Sequence, residues 1–436
     1  MAVIGGGIVG ATAALLLADR GCSVTLVEAR TVGGGVTGHS TAKATALQDT
    51  AHSKIAKRLG SEAAAAYAAA NEEGVGLITS RAQRHGIECS LETAPNHLYT
   101  QDEAFVELIE AEYDAAGGAG LDVEHVADIG LPFAVVAAIR LDGQIAFDSA
   151  AFTRGVATAA EDAGATIHEG SRVRSVAHKT CRIGLENGAA LDADHVILAT
   201  QMPLLDRGLF FARLRPQASY AIAGPLADPP TGMFLGIGGS TRSIRSTPAP
   251  GGGRALIVGG EGHKVGQGDS SDAYAKLVAW AGERFGLDSV EHRWSAHDLM
   301  SPDRMPMVGT LAPWAPRIWT ATGFSKWGLA MGVSAAAMLA RELTGDPDPK
   351  REAFDTNRLN PLGQGPDVVK ENADVALRFV GDRLRRAGTP RCTHLGCLVR
   401  WNTGDRTWDC PCHGSRFAAD GSVLNGPASA PLDLDG

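Results

Sequence analysis

Two places in this 436-residue chain hold residue types at spacings that do chemistry. Near the carboxyl end, Cys392-Thr393-His394 and Cys410-Pro411-Cys412-His413 form CxH and CxxH separated by fifteen residues. Two thiolates on one iron and two neutral imidazoles on the other make a [2Fe-2S] centre whose potential lies above that of an all-cysteine cluster. Cys392, His394, Cys410 and His413 are the expected metal ligands, with the imidazoles exposed enough to exchange an electron with a partner. A Cys2His2 zinc site is the competing reading, although the paired CxH and CPCHGS loops suit two irons better than one tetrahedral ion. Near the amino end, Gly5-Gly6-Gly7-Ile8-Val9-Gly10 is a GxGxxG turn. There Gly5 makes the turn, Gly7 lets the backbone approach a pyrophosphate, and Gly10 lets a helix pack on a strand.

These groups need elements to hold them. Met1-Ala2-Val3-Ile4 reads as a strand entering the glycine turn, residues 11–20 as a helix capped by Gly21, and residues 23–27 as a second strand. That strand ends at Glu28, eighteen residues past Gly10, where a carboxylate accepts hydrogen bonds from a ribose, with Ala29 and Arg30 beside it. The unit binds a dinucleotide, and FAD and NAD both fit it. Residues 33–43 form a polar, glycine-rich loop suited to run beneath a cofactor, with Ser40, Thr41 and Ala42 as contacts and Lys43 at its end. Residues 318–322 read as a strand, 323–328 as a turn and 329–343 as a helix. Its N-terminus offers a second positive helix end to an electron-rich group, and a plain βα crossover is the alternative. Gly323, Phe324, Trp327 and Gly328 are the expected cofactor contacts of that turn.

Composition narrows the classes. Lys plus Arg is 40 against 49 Asp plus Glu, a balance of −9 with no basic stripe, so nucleic acid is not an expected partner. No apolar run approaches the ~20 residues of a membrane span, and the apolar opening has no basic flank, so neither an anchor nor a signal peptide is expected. The seven cysteines are odd in number and mostly isolated before residue 392, which argues against a secreted disulfide framework and for a local metal site in a cytoplasmic protein.

On these residues the chain resembles the D-amino-acid-oxidase-like (DAO) family of FAD-dependent amine and amino-acid oxidoreductases over residues 1–358. The matching pieces are the first glycine turn, the strand Val196-Ile197-Leu198 with Ala199-Thr200, the segments 294–298 and 303–309, and the turn 322–328. Residues 170–176 are similar to the family segment that brackets the adenine, which implies Val173 as a contact. Gln201 departs from the pattern, since many FAD proteins have glycine after Ala-Thr, and only four residues precede Gly5. The C-terminal residues resemble the Rieske proteins of respiratory chains, which implies a disulfide between Cys397 and Cys412. Rieske-like domains place several strands before the first ligand loop. Here residues 378–391 are basic and helix-like, so the domain looks truncated and a vestigial motif without its cluster stays open.

The expected fold is therefore α/β (α+β): a Rossmann-like FAD-binding domain with an inserted substrate domain, then a small all-β Rieske-like domain. The expected boundaries are 1–75, 146–205 and 292–358 for the discontinuous FAD domain, and 76–145 and 206–291 for the substrate domain. A linker at 359–385 and a Rieske-like unit at 386–436 complete the chain. Residues 61–84 read as an alanine-rich helix with Glu72 and Glu73 on a wet face, and 247–253 as a hairpin tip.

A flavin takes two electrons as a hydride and a [2Fe-2S] centre one at a time, so their pairing implies electron export from the flavin. With the resemblance, this points to an amine or amino-acid dehydrogenase or oxidase acting on a C–N bond of a small molecule, with a redox protein as possible further partner. Lys326, in the turn, either stabilises negative charge at the flavin N1/C2=O edge or binds a substrate carboxylate, and Lys43 faces the same cofactor. A solvated lysine is the alternative for each. His297 and Asp298 fall in a segment near the cofactor, where a structural hydrogen-bonding role is expected. An NAD(P)H-dependent flavin reductase feeding an oxygenase is the second reading. It needs another nucleotide site, and residues 259–266 have the wrong glycine spacing. A simple amine oxidase with a vestigial Rieske tail and a non-catalytic electron carrier complete the alternatives.

Overall fold

The computed structural model of the protein describes residues 1–205, 208–239, 241–358 and 389–434. Ala2-Val3-Ile4 are apolar and buried, as the central strand of a parallel sheet covered on both faces must be. The six strands run in the order Met307–Thr310, Ile318–Thr322, Val196–Leu198, Ala2–Ile4, Thr25–Val27, Thr166–His168, parallel except for the first pair. This is the doubly wound arrangement expected, with the glycine turn at the C-terminal end of a central strand.

The helix Ile8–Ala18 starts ahead of the expected residue 11, because Gly7 caps it and Thr37 Oγ1 takes the Ile8 N–H at 3.1 Å. Helices Ser149–Asp162 and Ala330–Leu343 share its core. The alanine-rich helix Ser61–Arg84 spans the expected residues, and Gly74 lets it lie against the Ala330 carbonyl, where a Cβ would collide. That packing corrects the wet-face expectation for Glu73. Its carboxylate is 2.7 Å from Arg341 and 3.1 Å from Lys350, while Glu72 is exposed.

Strands Val173–Ala177, Arg182–Leu185 and Ala190–Asp192 form a small antiparallel sheet, and a further, mixed sheet has nine strands. Its order is His292–Met300, Arg215–Pro225, Arg254–Lys264, Arg242–Pro248, Met233–Gly236, Glu92–Thr100, Ala137–Ala146, Lys43–Ala44, with Val123–His125 beside Ala137–Ala146. The tip at 249–253 joins two of these strands as the proline and glycine content predicts. The strand His292–Met300, grouped from sequence with the FAD domain, is an edge of this sheet, hydrogen-bonded along Arg215–Pro225. Its last residue, Met300, bridges to Phe324 in the turn that follows the strand Ile318–Thr322.

The C-terminal sheet has four short antiparallel strands, Arg400–Asn402, Thr407–Asp409, Arg416–Phe417 and Val423–Asn425. The four cysteines of this region pack with Val399, Phe417, Val423, Ala428 and Leu432 as its core. The linker expected at 359–385, the expected domain start at 386 and the helix-like stretch up to 388 lie outside the described residues. No described helix is long and apolar enough to cross a membrane.

Candidate functional site

A cavity of about 910 Å³ opens where the strand ends of the first sheet meet the nine-stranded sheet. Gly5, Gly7, Ile8 and Val9 form one wall, Glu28, Ala29 and Arg30 the next, and Ser40, Thr41, Val173, Ala199 and Thr200 continue it. Gly323, Phe324, Trp327 and Gly328 close the far end. Of the expected cofactor contacts, Gly6, Gly10 and Ala42 do not line the cavity. Gly6 is held behind it by its N–H to Glu28 Oε2 at 2.7 Å, and Ala42 is buried. Gly10 is packed so tightly that a Cβ would run into the Gly5 carbonyl, which is the helix-on-strand approach its position demands.

Glu28 is fixed by backbone donors. Its Oε1 accepts the Arg30 N–H at 2.8 Å and its Oε2 the Gly6 N–H, so the carboxylate faces the cavity without side-chain freedom. Gln201, the departure from the family pattern, has φ of 65°, in the left-handed region that glycine adopts at no cost. Its amide donates to the His297 carbonyl and its own carbonyl accepts from Thr322 Oγ1, contacts that hold a non-glycine residue in that conformation. Ser325 and Lys326 are also left-handed, at 52° and 76°, and the Ser325 N–H donates to the Leu299 carbonyl at 3.0 Å.

Both expected lysines line the cavity. Lys43 is 5% exposed, and its Nζ donates to the Phe234 carbonyl at 2.9 Å and lies 5.9 Å from the centre of the Trp327 ring. Burial, with Arg245 nearby, pulls its pKa down to about 7. Lys326 lines the cavity and keeps exposed surface, and desolvation lowers its pKa against the pull of Asp298. Burial in turn raises the Asp298 carboxyl, with Lys326 opposing. Gly259, Gly260 and Gly262, the cluster with the wrong spacing for a nucleotide, lie in the strand Arg254–Lys264 and line this same cavity.

In the C-terminal sheet, Cys392 and Cys410 are buried thiols with their sulfurs hydrogen-bonded to each other. That contact lowers the Cys392 pKa and raises that of Cys410, and both thiols must lose their protons to bind iron. Cys397 and Cys412 are joined in a disulfide, with Cα atoms 6.7 Å apart. The sulfurs of Cys397, Cys410 and Cys412 lie within 4.8 Å of one another, but two of them are spent in that bond. The donors left are two thiols and the His394 and His413 rings, whose centroids are 5.1 Å apart at 88°. This two-sulfur, two-imidazole set fits a Rieske cluster and leaves no third thiolate for an all-cysteine centre.

The structure corrects one expectation about those imidazoles. His413 is 4% exposed, and Phe211 of the flavin-side chain packs edge-on against both rings, with centroids 5.4 Å from His413 and 6.2 Å from His394. His394 is half-buried, and the His413 side of the pair therefore turns into the protein. Several polar contacts hold it there. His297 Nδ1 donates to the Gly414 carbonyl at 3.1 Å, and its Nε2 is 3.4 Å from Asp409. Arg416 binds Asp409 at 2.9 Å and donates to Ser295 Oγ at 2.8 Å, while Tyr274 and Ser295 each donate to Asp405 at 2.6 Å. The hydrogen-bonding role expected of His297 is thus met across a domain contact, and Asp298 beside it faces the cavity.

Sequence reasoning missed Thr37, Arg172, Phe211 and residues 424–429. Thr37 stands in the polar loop already singled out, and its hydroxyl next to a helix start was the available signal. Arg172 lies in the segment matched to the adenine wall. For Phe211 and residues 424–429 no local signal exists, because their roles come from contacts with residues far away in sequence.

Comparison with known proteins agrees with this geometry. The FAD dependent oxidoreductase family matches residues 1–342, and the Rieske [2Fe-2S] domain matches residues 361–434. The Bacillus subtilis (strain 168) protein YhfW, named for a Rieske 2Fe-2S iron-sulfur protein, is 32% identical over 476 aligned residues, covering 99% of this chain and 93% of its own. Among solved structures, glycine oxidase from Geobacillus kaustophilus superposes with a TM-score of 0.68 at 18% identity, covering 82% of this chain and 98% of that one. L-proline dehydrogenase from P. horikoshii gives 0.67 at 19% identity, covering 82% and 96%. These two likenesses are of fold.

Proposed function

We propose that this chain, which belongs to the FAD-dependent oxidoreductase family and carries a Rieske [2Fe-2S] domain, oxidises a C–N bond of an amine or amino acid and exports the electrons through its cluster. Its cofactors are FAD and the Rieske cluster. When bound, FAD takes a hydride from carbon and the cluster carries electrons singly. The observation that carries the reading is the inward histidine face: His394 and His413 pack on Phe211, and the Gly414 loop is hydrogen-bonded to His297, whose neighbour Asp298 lines the flavin cavity. A cluster serving only an outside partner has no need of that burial.

The chain's own residues divide the remaining work. Gly5, Gly7 and Glu28 would hold the pyrophosphate and ribose, with Val173 at the adenine. Cys392, His394, Cys410 and His413 would hold the cluster. Lys43 Nζ, with a pKa of about 7, would take the proton that a substrate ammonium must lose before its carbon gives up a hydride. Lys326 would hold a carboxylate, or negative charge on the flavin edge, against Asp298.

The test is iron, acid-labile sulfide and flavin analysis, followed by anaerobic reduction with a panel of amines and amino acids and, separately, NADPH. The expected result is flavin bleaching by one amine class, followed by a rhombic EPR signal from the cluster. Bleaching by NADPH alone would favour the reductase reading, and flavin without iron would leave a plain oxidase.

A further inference from the structure

We propose that residues 424–429 of the Rieske domain are a wall of the flavin site, so that both domains grip FAD and assembly of the cluster tightens that grip. The inference rests on the FAD and Rieske assignments above and adds a binding surface to them. Leu424, Asn425, Gly426, Pro427, Ala428 and Ser429 line the cavity that Gly5, Gly7 and Glu28 line. Leu424 and Asn425 end the last strand of the C-terminal sheet, Val423–Asn425, and the others follow directly from it. Pro427 and Ala428 are buried, whereas Leu424, Asn425, Gly426 and Ser429 keep surface open to the cavity.

The segment is tied on both sides. Toward the flavin domain, Arg172 Nη2 donates to the Val423 carbonyl at 2.8 Å, and Arg172 itself lines the cavity beside Val173. Toward the cluster, the Ala428 N–H donates to Ser415 Oγ at 3.0 Å, and Thr393 Oγ1 donates to the Ala430 carbonyl at 2.6 Å. Ser415 is two residues beyond His413, and Thr393 stands between Cys392 and His394. Each ligand loop therefore anchors one point of the segment. When iron fixes the two loops, it fixes the segment between them. Without iron the Cys397–Cys412 disulfide and the pairing of Asn425 with Arg416 still hold the wall, but the two loop contacts lose the metal that fixes them, and FAD loses a rigid side of its enclosure.

The experiment measures FAD dissociation from the full-length holoprotein by the fluorescence of released flavin, in the native chain, in Asn425→Trp, and in the cluster-free double variant Cys392→Ser/Cys410→Ser. An indole at 425 intrudes into the cavity. The expected result is release faster by about ten-fold or more in both variants, since changes at a binding surface show mainly in the off-rate. Iron content should stay native in Asn425→Trp. Release within about two-fold of native in either variant overturns the proposal. A second measurement needs no mutation: adding FAD to flavin-depleted native protein should slow amide exchange in the 424–429 peptide, and unchanged exchange there also overturns it. If the native chain bound no FAD at all, the cofactor assignment itself would fail, a different outcome from a native chain whose FAD ignores residue 425.

Discussion

Lys43 gives a stability signature that follows from burial. Its ammonium is enclosed, with Arg245 adding positive charge, so the folded protein releases its proton near pH 7 whereas the unfolded chain holds it to 10.5. Between those values the unfolded state binds more protons, so stability rises with pH through the interval and this contribution is flat below about 7. The slope is about 1.4 kcal/mol per pH unit, which amounts to about 5 kcal/mol over the whole interval and about 3 kcal/mol between pH of about 7.5 and about 9.5. Lys43→Met keeps an unbranched chain one atom shorter and removes the titration. Urea unfolding of the native protein and of this variant, followed by near-UV circular dichroism at a series of pH values, isolates the difference. The variant should be the more stable of the two at neutral pH, with the native protein closing the gap as pH rises. Parallel curves across the interval would show that Lys43 titrates near its ordinary value, and the role of its Nζ as a proton acceptor at neutral pH would fall with it.

Three further outcomes follow from the geometry. Gly10→Val drives a side chain into the Gly5 carbonyl, an overpacking of about 1–3 kcal/mol, and should yield a colourless protein that keeps its iron. Retention of the yellow chromophore would count against the placement of the pyrophosphate. Arg416→Met leaves the buried Asp409, with the half-buried Asp405 nearby, without its arginine, at a cost of about 3–5 kcal/mol, and should make the C-terminal sheet the first part cut in limited proteolysis. A cleavage pattern like the native one would show that the ion pairs do not fix that sheet. Phe211→Ala removes the ring that covers His394 and His413, and the dithionite-reduced cluster should then be reoxidised faster by ferricyanide. An unchanged rate would mean that the small oxidant reaches the cluster by another face.

What the sequence revealed and what it concealed divide by range of contact. The glycine turn, Glu28 and the strand-turn-helix at 318–343 were legible because each is a local solution to a local problem: a tight turn, a carboxylate at a strand end, a helix start. The CxH and CxxH loops were legible for the same reason, since a metal fixes both the ligand types and their spacing. Lys43 was legible as a polar residue at a loop end, but its depressed pKa was not, because Arg245 and the Phe234 carbonyl reach it from about 200 positions away.

The contact between the domains was the least legible part, and its chemistry explains why. Ser295, Tyr274, His297 and Phe211 are ordinary residues of strand or helix until Asp405, Gly414 and the histidine pair arrive from the other end of the chain. The signal lay in what was hard to account for. A histidine and an aspartate sit side by side at 297–298 in one strand, where alternation sends their side chains to opposite faces. Asp298 lines the flavin cavity, where Lys326 acts on it electrostatically. His297, 2% exposed, then required a polar partner for its ring on the opposite face, whereas Gln201 meets only its backbone carbonyl. The partner that meets the requirement at Nδ1 is the Gly414 carbonyl, with Asp409 3.4 Å from Nε2, so the C-terminal sheet supplies the polar surroundings of this buried imidazole.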